Sequence, residues 1–240
     1  MDSSKRRGFT VIELMLFLGV TGALFAALMI GVNTNLLQQR YKESVQSYVG
    51  LLQEQYAAVS NTRNDRGNDW ACVDGRVVND SVNGSPRGTS RCVILGRAVQ
   101  VVNDGAAVRV SVVVASESIE DEPLDDISAL IAYAPQLSPL GEKTQTLDWH
   151  TTLATHEDKH PSKASFLVLR SPMSGTIRTF TFSDELPADI STVIAPHAAT
   201  RTIQNCMLGS VLGQPTFLIS VNPTVSGPNA VRVDQESKLC

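Results

Sequence analysis

The sequence is poor in charged and aromatic side chains, which make up 18% and 5% of its residues. Its formal net charge is −4, a balance that argues against a protein that coats nucleic acid. It also lacks a P-loop, a G-x-G-x-x-G or G-x-S-x-G motif, and any pair of cysteines at metal-binding spacing. We therefore expect no enzymatic activity, no catalytic residues, no metal and no cofactor, and we do not expect nucleic acid as a partner.

Charge is entirely absent from Leu14 to Leu37, and the residues from Leu14 to Val32 are apolar apart from Thr21 and three glycines. A helix of this length and composition can span the hydrocarbon core of a bilayer. Proline is absent from the same stretch, so any kink in the helix would have to come from the glycines. We predict a single membrane-spanning helix here.

The segment before the apolar run reverses the order of an ordinary secretory signal, whose cleavage site follows the apolar run. Here a Gly–Phe junction precedes the run and directly follows three basic residues. An acidic residue then lies at the fifth position counted from the phenylalanine. In order, these elements are Lys5, Arg6, Arg7, Gly8, Phe9 and Glu13.

This order resembles the class III signal of type IV prepilins and pseudopilins, over roughly residues 1–60. The resemblance implies that residues 1–8 are a leader, that a prepilin peptidase cleaves after Gly8, and that Phe9 is then methylated. It further implies a structural subunit of a type IV pilus-like filament that assembles through its N-terminal helix, with Glu13 acting in assembly. The implied partners are the peptidase, other pilin subunits in a homo- or hetero-filament, and the pilus assembly platform.

Two questions stay open at this point. The resemblance does not separate a major pilin from a minor pilin or from a pseudopilin of type II secretion or competence. The chain length and the segment 117–163 favour a minor pilin for adhesion, motility or DNA uptake. The alternative from another class is an uncleaved, signal-anchored extracytoplasmic binding protein or enzyme, in which Glu13 is incidental.

The four cysteines, at positions 72, 92, 206 and 240, all follow the apolar run. The basic leader keeps the N-terminus in the cytoplasm by the positive-inside rule, which places the cysteines outside, where disulfides persist. We therefore expect a single-pass membrane protein that later becomes part of an extracellular filament. Of the three possible connectivities we favour Cys72–Cys92 and Cys206–Cys240, because each encloses a turn-rich segment. The resemblance supports the second pair, and unpaired buried thiols are the alternative.

Beyond the apolar run the helical pattern continues, so residues 9–60 are predicted to form one helix. Residues 9–37 form its membrane and assembly half, and residues 38–60 form an amphipathic half. From Leu37 onward the apolar residues of the helix recur every three or four positions: Leu37, Tyr41, Val45, Tyr48, Leu52, Tyr56 and Val59. Residues 61–92 are predicted to be a loop closed by a disulfide, with Trp70 holding its start against the domain.

Residues 93–240 carry the signals of an antiparallel sheet. Valine-rich strands at 93–102 and 107–115 flank an Asp–Gly turn, and further strands are predicted at 164–170, 176–182, 216–221 and 229–233. A long insert at 117–163 separates the second and third strands and includes a helix-like piece at 124–133. The fold class is therefore α+β and pilin-like, with an antiparallel sheet packed on one long helix.

Two clusters in the insert have the residue types of metal sites. His156 to His160 match H-E-x-x-H, but Pro161 disfavours helix at His160 and the flanks are not amphipathic, so we expect no catalytic zinc. A metal site that uses His150, His156 and His160 is the less favoured alternative. The acidic residues from Glu117 to Asp126 lack the spacing and central glycine of a dedicated calcium loop, so we expect a solvated charge run.

Overall fold

A computed structural model of the protein describes residues 10–61, 70–73, 76–80, 92–116, 125–187, 189–194, 201–209, 216–235 and 240. The chain divides into two compact units, Met1–Lys42 and Glu43–Cys240. Helix α1, Val11–Ser60, supplies the described part of the first unit and begins the second. The leader residues and the Gly8–Phe9 junction lie outside the described residues.

The described part of the second unit contains, after α1, antiparallel sheets and two short α-helices. One sheet has five strands in the order β5-β4-β3-β7-β8: Gln136–Thr146, Ala107–Ser116, Cys92–Val102, Ser165–Arg170 and Ile177–Phe182. Another has four strands in the order β11-β10-β9-β6: Val231–Asp234, Phe217–Val221, Ile203–Leu208 and Thr152–Thr155. The hairpin β1-β2 comprises Trp70–Val73 and Arg76–Asn79, and the helices are α2, Asp126–Ala132, and α3, Ser191–Ile194. A long N-terminal apolar helix followed by antiparallel sheets is the expected α+β arrangement.

The structure confirms the hairpin that the Asp–Gly pair predicts between β3 and β4. Val102 pairs with Ala107, and the turn between them places Asn103, Asp104 and Gly105 at φ values of 53°, 52° and 82°. Asparagine, aspartate and glycine tolerate this left-handed region better than other residues do. The turn chemistry therefore sets the register of the two longest valine-rich strands.

The segment 117–163 is not an insert outside the sheets, which corrects the sequence-based prediction. It supplies β5 to one sheet and β6 to the other, and these strands pair with β4 and β9. The strand signal of β5 is weak because it contains Pro139 and Gly141 and its outer half is exposed. An edge strand needs only one partner, so it tolerates proline and polar residues that a central strand would not.

The predicted loop 61–92 likewise contains a hairpin, because β1 and β2 pair from Trp70↔Asn79 to Val73↔Arg76. Trp70 packs against a small apolar cluster that includes Val112, Val114 and Leu140, as expected for the start of this segment. The sequence signal for strands is poor here because the strands have only four residues each and lie among glycines and asparagines. The 3-10 turns at Asp148–His150 and Pro228–Ala230 were also not predicted.

The inner strands of the five-stranded sheet are covered on both faces within the second unit. One face packs against α2 and α3 through buried side chains that include Leu130, Leu167, Phe180 and Ile194. The side chains of Phe166, Val168 and Thr179 alternate with that set and therefore point to the other face. There the Tyr56 hydroxyl of α1 lies 3.1 Å from the Thr179 hydroxyl. The helix residues Val45, Tyr48, Leu52, Tyr56 and Val59 are all buried, as the amphipathic pattern predicts.

Two residues of the predicted acidic run have structural roles at the start of α2. The Asp125 carboxylate accepts hydrogen bonds of 2.8 Å from the backbone N–H groups of Ile127 and Ser128, which caps the helix. The Asp126 carboxylate accepts a 2.7 Å bond from the Ser171 hydroxyl and a 3.1 Å bond from the Arg178 guanidinium. Hydrogen bonds from serine hydroxyls, with Arg178 nearby, lower the pKa of Asp126 to about 2. Residues 117–124 lie outside the described part of the chain.

The turn at Gly105 connects the two larger sheets. The backbone N–H of Leu153 in β6 donates a 2.8 Å hydrogen bond to the Gly105 carbonyl. A Cβ atom on Gly105 would lie 2.1 Å from the Leu153 carbonyl oxygen, and the Gly105 φ is +82°. The close approach of the two backbones therefore requires glycine for both steric and conformational reasons.

We predict that Gly105→Ala lowers the free energy of unfolding by roughly 2–5 kcal/mol, from left-handed strain and the clash with Leu153 together. Gly175→Ala is the control, because Gly175 has a φ of +74° and an added Cβ would make only ordinary contacts, at 3.4 Å or more, with the Arg170 side chain. The control should show the strain alone, about 1–3 kcal/mol. Denaturant unfolding of the wild type and the two variants measures the free energy of unfolding of each chain. An equal decrease in both variants would contradict the proposed backbone clash.

Candidate membrane and assembly helix

Helix α1 begins with a hydrogen-bonded cap. The Thr10 hydroxyl accepts a 3.3 Å bond from the backbone N–H of Glu13, and the Thr10 carbonyl accepts a 3.1 Å bond from Leu14 N–H. Thr10 therefore occupies the N-cap, and Glu13 lies in the first turn. A carboxylate there also interacts favourably with the positive end of the helix dipole.

Residues 11–36 of the first unit leave their apolar side chains uncovered. Apart from Thr21, which is half-buried, every residue from position 11 to 36 is exposed. Large side chains such as Ile12, Phe25 and Met29 are 76%, 69% and 73% exposed. In the described part of the chain α1 is the one helix long and apolar enough to cross a membrane, and its most apolar window is 0% buried. A core helix of a soluble domain would be covered instead.

The two threonine hydroxyls in this stretch are satisfied within the helix. The Thr21 hydroxyl donates a 2.8 Å bond to the Phe17 carbonyl, and the Thr34 hydroxyl donates a 2.9 Å bond to the Gly31 carbonyl. Unpaired hydroxyl groups are costly in hydrocarbon, and such bonds to the preceding turn remove that cost. The two threonines are therefore compatible with a helix in lipid.

Small residues recur every four positions along this helix, a feature that the sequence analysis missed: Gly19, Ala23, Ala27 and Gly31. A Cβ atom on either glycine would meet nothing within 4 Å, so packing inside the chain does not require them. Helix α1 continues without interruption through both glycines. Such a small-residue stripe lets two membrane helices approach closely. The four-residue spacing would have indicated the stripe.

Of the residues singled out for processing and assembly, only Glu13 is described. Glu13 is exposed, and no ion pair among the described residues includes its carboxylate. Lys5, Arg6, Arg7, Gly8 and Phe9 lie outside the described residues, so the processing site stays a prediction. The structure thus has an acidic residue at the start of an uncovered apolar helix.

The cysteines pair in the way that the sequence analysis favours. Cys72 bonds to Cys92 and Cys206 to Cys240, with Cα–Cα distances of 5.5 and 5.6 Å. The first bond joins β1 to β3, and the second joins the centre of β9 to residue 240. Two disulfides after an apolar helix are typical of a domain in an oxidising compartment.

The histidines of the H-E-x-x-H match do not lie on a helix. Residues 156–158 form a turn, and Lys159 adopts a φ of 56°. His160 Nε2 lies 3.9 Å from an Asp158 carboxylate oxygen, whereas His156 Nδ1 lies 3.9 Å from Cys206 Sγ. The zinc-protease motif needs both histidines on one helix face, so this segment lacks the geometry that the motif requires.

We predict that Gly19→Ile weakens self-association of α1 in a bilayer by roughly tenfold, about 1.4 kcal/mol, because the branched side chain separates the helices. Membrane insertion should not change, since the added side chain has open space in the single chain. Leu18→Ile is the control, because Leu18 is exposed but lies off the stripe. Energy transfer between labelled full-length chains in vesicles measures association, and equal transfer for Gly19→Ile and wild type would rule out close packing through the stripe.

Comparisons of the chain with protein-family models, with curated proteins and with solved structures find no match. The resemblance to type IV pilins therefore depends on the motif at residues 5–13 and the helix that follows it. The function must be argued from those residues and from the geometry of α1.

Proposed function

We propose that the chain is a structural subunit of a type IV pilus-like filament. It is made as a prepilin, cleaved after Gly8, methylated at Phe9 and assembled through the first half of α1. The observation that carries this proposal is the uncovered apolar helix, which begins immediately after the Gly–Phe junction and has Glu13 in its first turn. Its partners are a prepilin peptidase, other pilin subunits and an assembly platform.

The uncovered apolar surface requires a partner outside the chain. Fifteen large apolar residues between positions 11 and 36 are at least 46% exposed. Transfer of one such side chain out of water is worth about 1.5–3 kcal/mol, so the helix is strongly disfavoured in water. Lipid supplies the cover after synthesis, and helices of neighbouring subunits supply it in a filament. The small-residue stripe favours the second step, because helices in lipid associate by close packing rather than by the hydrophobic effect.

Glu13 distinguishes an assembly helix from a simple anchor. A carboxylate near the membrane boundary can reach the headgroups, so a lone anchor tolerates it at modest cost. In a filament core there are no headgroups, and an unpaired charge is far more costly. Cleavage after Gly8 creates a positive amino group on Phe9, four residues before Glu13. That amine can pair with Glu13 of the same chain or of a neighbour, and the resemblance favours the neighbour.

The second unit is the part exposed outside the cell in this proposal. The basic leader holds the N-terminus in the cytoplasm, so the domain beyond α1 crosses to the oxidising side. The two disulfides and the buried core of the five-stranded sheet support a domain that stays folded there. In the chain-entropy model, bonds enclosing 20 and 34 residues contribute roughly 3–4 kcal/mol each.

We predict that Glu13→Leu lowers incorporation into filaments by at least about tenfold, because loss of one partner of a buried ion pair costs roughly 3–5 kcal/mol. Membrane insertion and the fold of the second unit should be unchanged, since Glu13 is exposed in the single chain. Ile12→Leu is the matched control, because it changes an adjacent exposed residue without changing charge.

One strain co-expresses the variant and the wild-type subunit. The ratio of variant to wild type is measured in sheared filaments and is divided by the same ratio in the membrane pool. Equal ratios for Glu13→Leu and Ile12→Leu would show that the carboxylate has no role in assembly. That result would favour the competing interpretation, an uncleaved and signal-anchored extracytoplasmic protein.

A further inference from the structure

Three potential metal ligands meet at one end of the four-stranded sheet. His156 immediately follows β6, Cys206 lies in β9, and Cys240 is bonded to Cys206. Strand pairing places Ala154 opposite Cys206, which brings the residues after β6 next to the disulfide. The ligand atoms of the three side chains lie within 4.8 Å of one another, and they are the one such group in the described part of the chain.

The distance between His156 and Cys206 is close to that between two ligands of a tetrahedral zinc site. With Zn–S bonds of about 2.3 Å and Zn–N bonds of about 2.0 Å, tetrahedral ligands are roughly 3.5–3.8 Å apart. His156 Nδ1 is already 3.9 Å from Cys206 Sγ. The two cysteine Cα atoms are 5.6 Å apart, so opening the S–S bond lets small side-chain rotations bring the sulfurs to that spacing.

We propose that the reduced form of this cluster binds one Zn²⁺ through His156 Nδ1 and the thiolates of Cys206 and Cys240. Binding releases the two thiol protons and transfers no electrons, and water or an exogenous ligand completes the tetrahedron. The same sulfurs cannot bind zinc and form the disulfide, so the site exists only while both sulfurs are thiols, as in the chain before the disulfide forms. The proposal concerns the second unit alone and does not depend on filament assembly.

The surroundings favour a thiolate–imidazole site over one formed by the nearby acidic loop. Cys206 is 0% exposed and Cys240 is 9% exposed, so the metal would lie in a largely dry environment that strengthens its bonds to thiolate. Glu157 and Asp158 are exposed, and Glu157 forms a 2.9 Å ion pair with Arg201. Soft thiolates with an imidazole select zinc among the common divalent cations.

The test uses the full-length chain in detergent micelles, reduced by a phosphine without oxygen. We expect the reduced chain to bind one Zn²⁺ in competition with a chromophoric chelator, and Co²⁺ to give a sulfur-to-cobalt charge-transfer band. His156→Ala should weaken Zn²⁺ binding more than about tenfold, since even outer-shell partners of a metal are worth 10–100-fold. Zn²⁺ should also raise the thermal unfolding midpoint of the reduced wild type but not of His156→Ala.

Two controls separate this site from other thiols and histidines. His160→Ala should bind like wild type, because His160 contacts Asp158 rather than the cysteines. A chain with Cys72→Ser and Cys92→Ser should keep the single site and its band, and the oxidised chain should show neither. The proposal is overturned if the reduced wild type takes up no Zn²⁺, or if His156→Ala binds Zn²⁺ as tightly as wild type, because thiols of an unfolded chain would then suffice.

Discussion

No residue that the structure describes covers the apolar surface of residues 11–36, and the rest of the functional interpretation depends on this constraint. A helix of this length and composition is suited to lipid or to packing against other helices. The threonine hydroxyls are bonded to their own helix, and the small-residue stripe is open, so both environments suit the same segment. Glu13 is the one acidic residue in this stretch. Its carboxylate can reach the headgroups in a simple anchor, but an unpaired charge in a core of packed helices is far more costly, so the two arrangements differ in energy.

The second unit, unlike residues 11–36, buries its apolar side chains in its own core. Its five-stranded sheet has α2 and α3 on one face and the last turns of α1 on the other. The four-stranded sheet is joined to it at the Gly105 turn, where the backbones approach too closely for a side chain. The Cys206–Cys240 bond joins residue 240 to strand β9 of that second sheet, and in the reduced chain the proposed zinc ion would bind the same two sulfurs.

Features encoded by local sequence were predicted well, whereas features produced by distant residues were not. The β3–β4 hairpin follows from an Asp–Gly turn between valine-rich strands, and the buried face of α1 follows from its periodicity. Strand β5 was missed because an edge strand can be polar and contain Pro139, and β9 because Gln204 and Asn205 interrupt its apolar pattern. The approach of His156 to Cys206 joins residues 50 positions apart, which only the strand pairing of β6 with β9 creates. The disulfide pairs could be favoured from spacing because each encloses a short, turn-rich segment.

The central claim is that the chain is processed before it assembles, and the N-terminus of the native protein tests it most directly. Intact-mass analysis of protein purified from membranes and from sheared filaments should give a chain that begins at Phe9, carries one added methyl group and contains two disulfides. Full-length precursor should be confined to a minor membrane fraction. A native protein that retains Met1 to Gly8 in every fraction would contradict the claim and identify α1 as an uncleaved anchor.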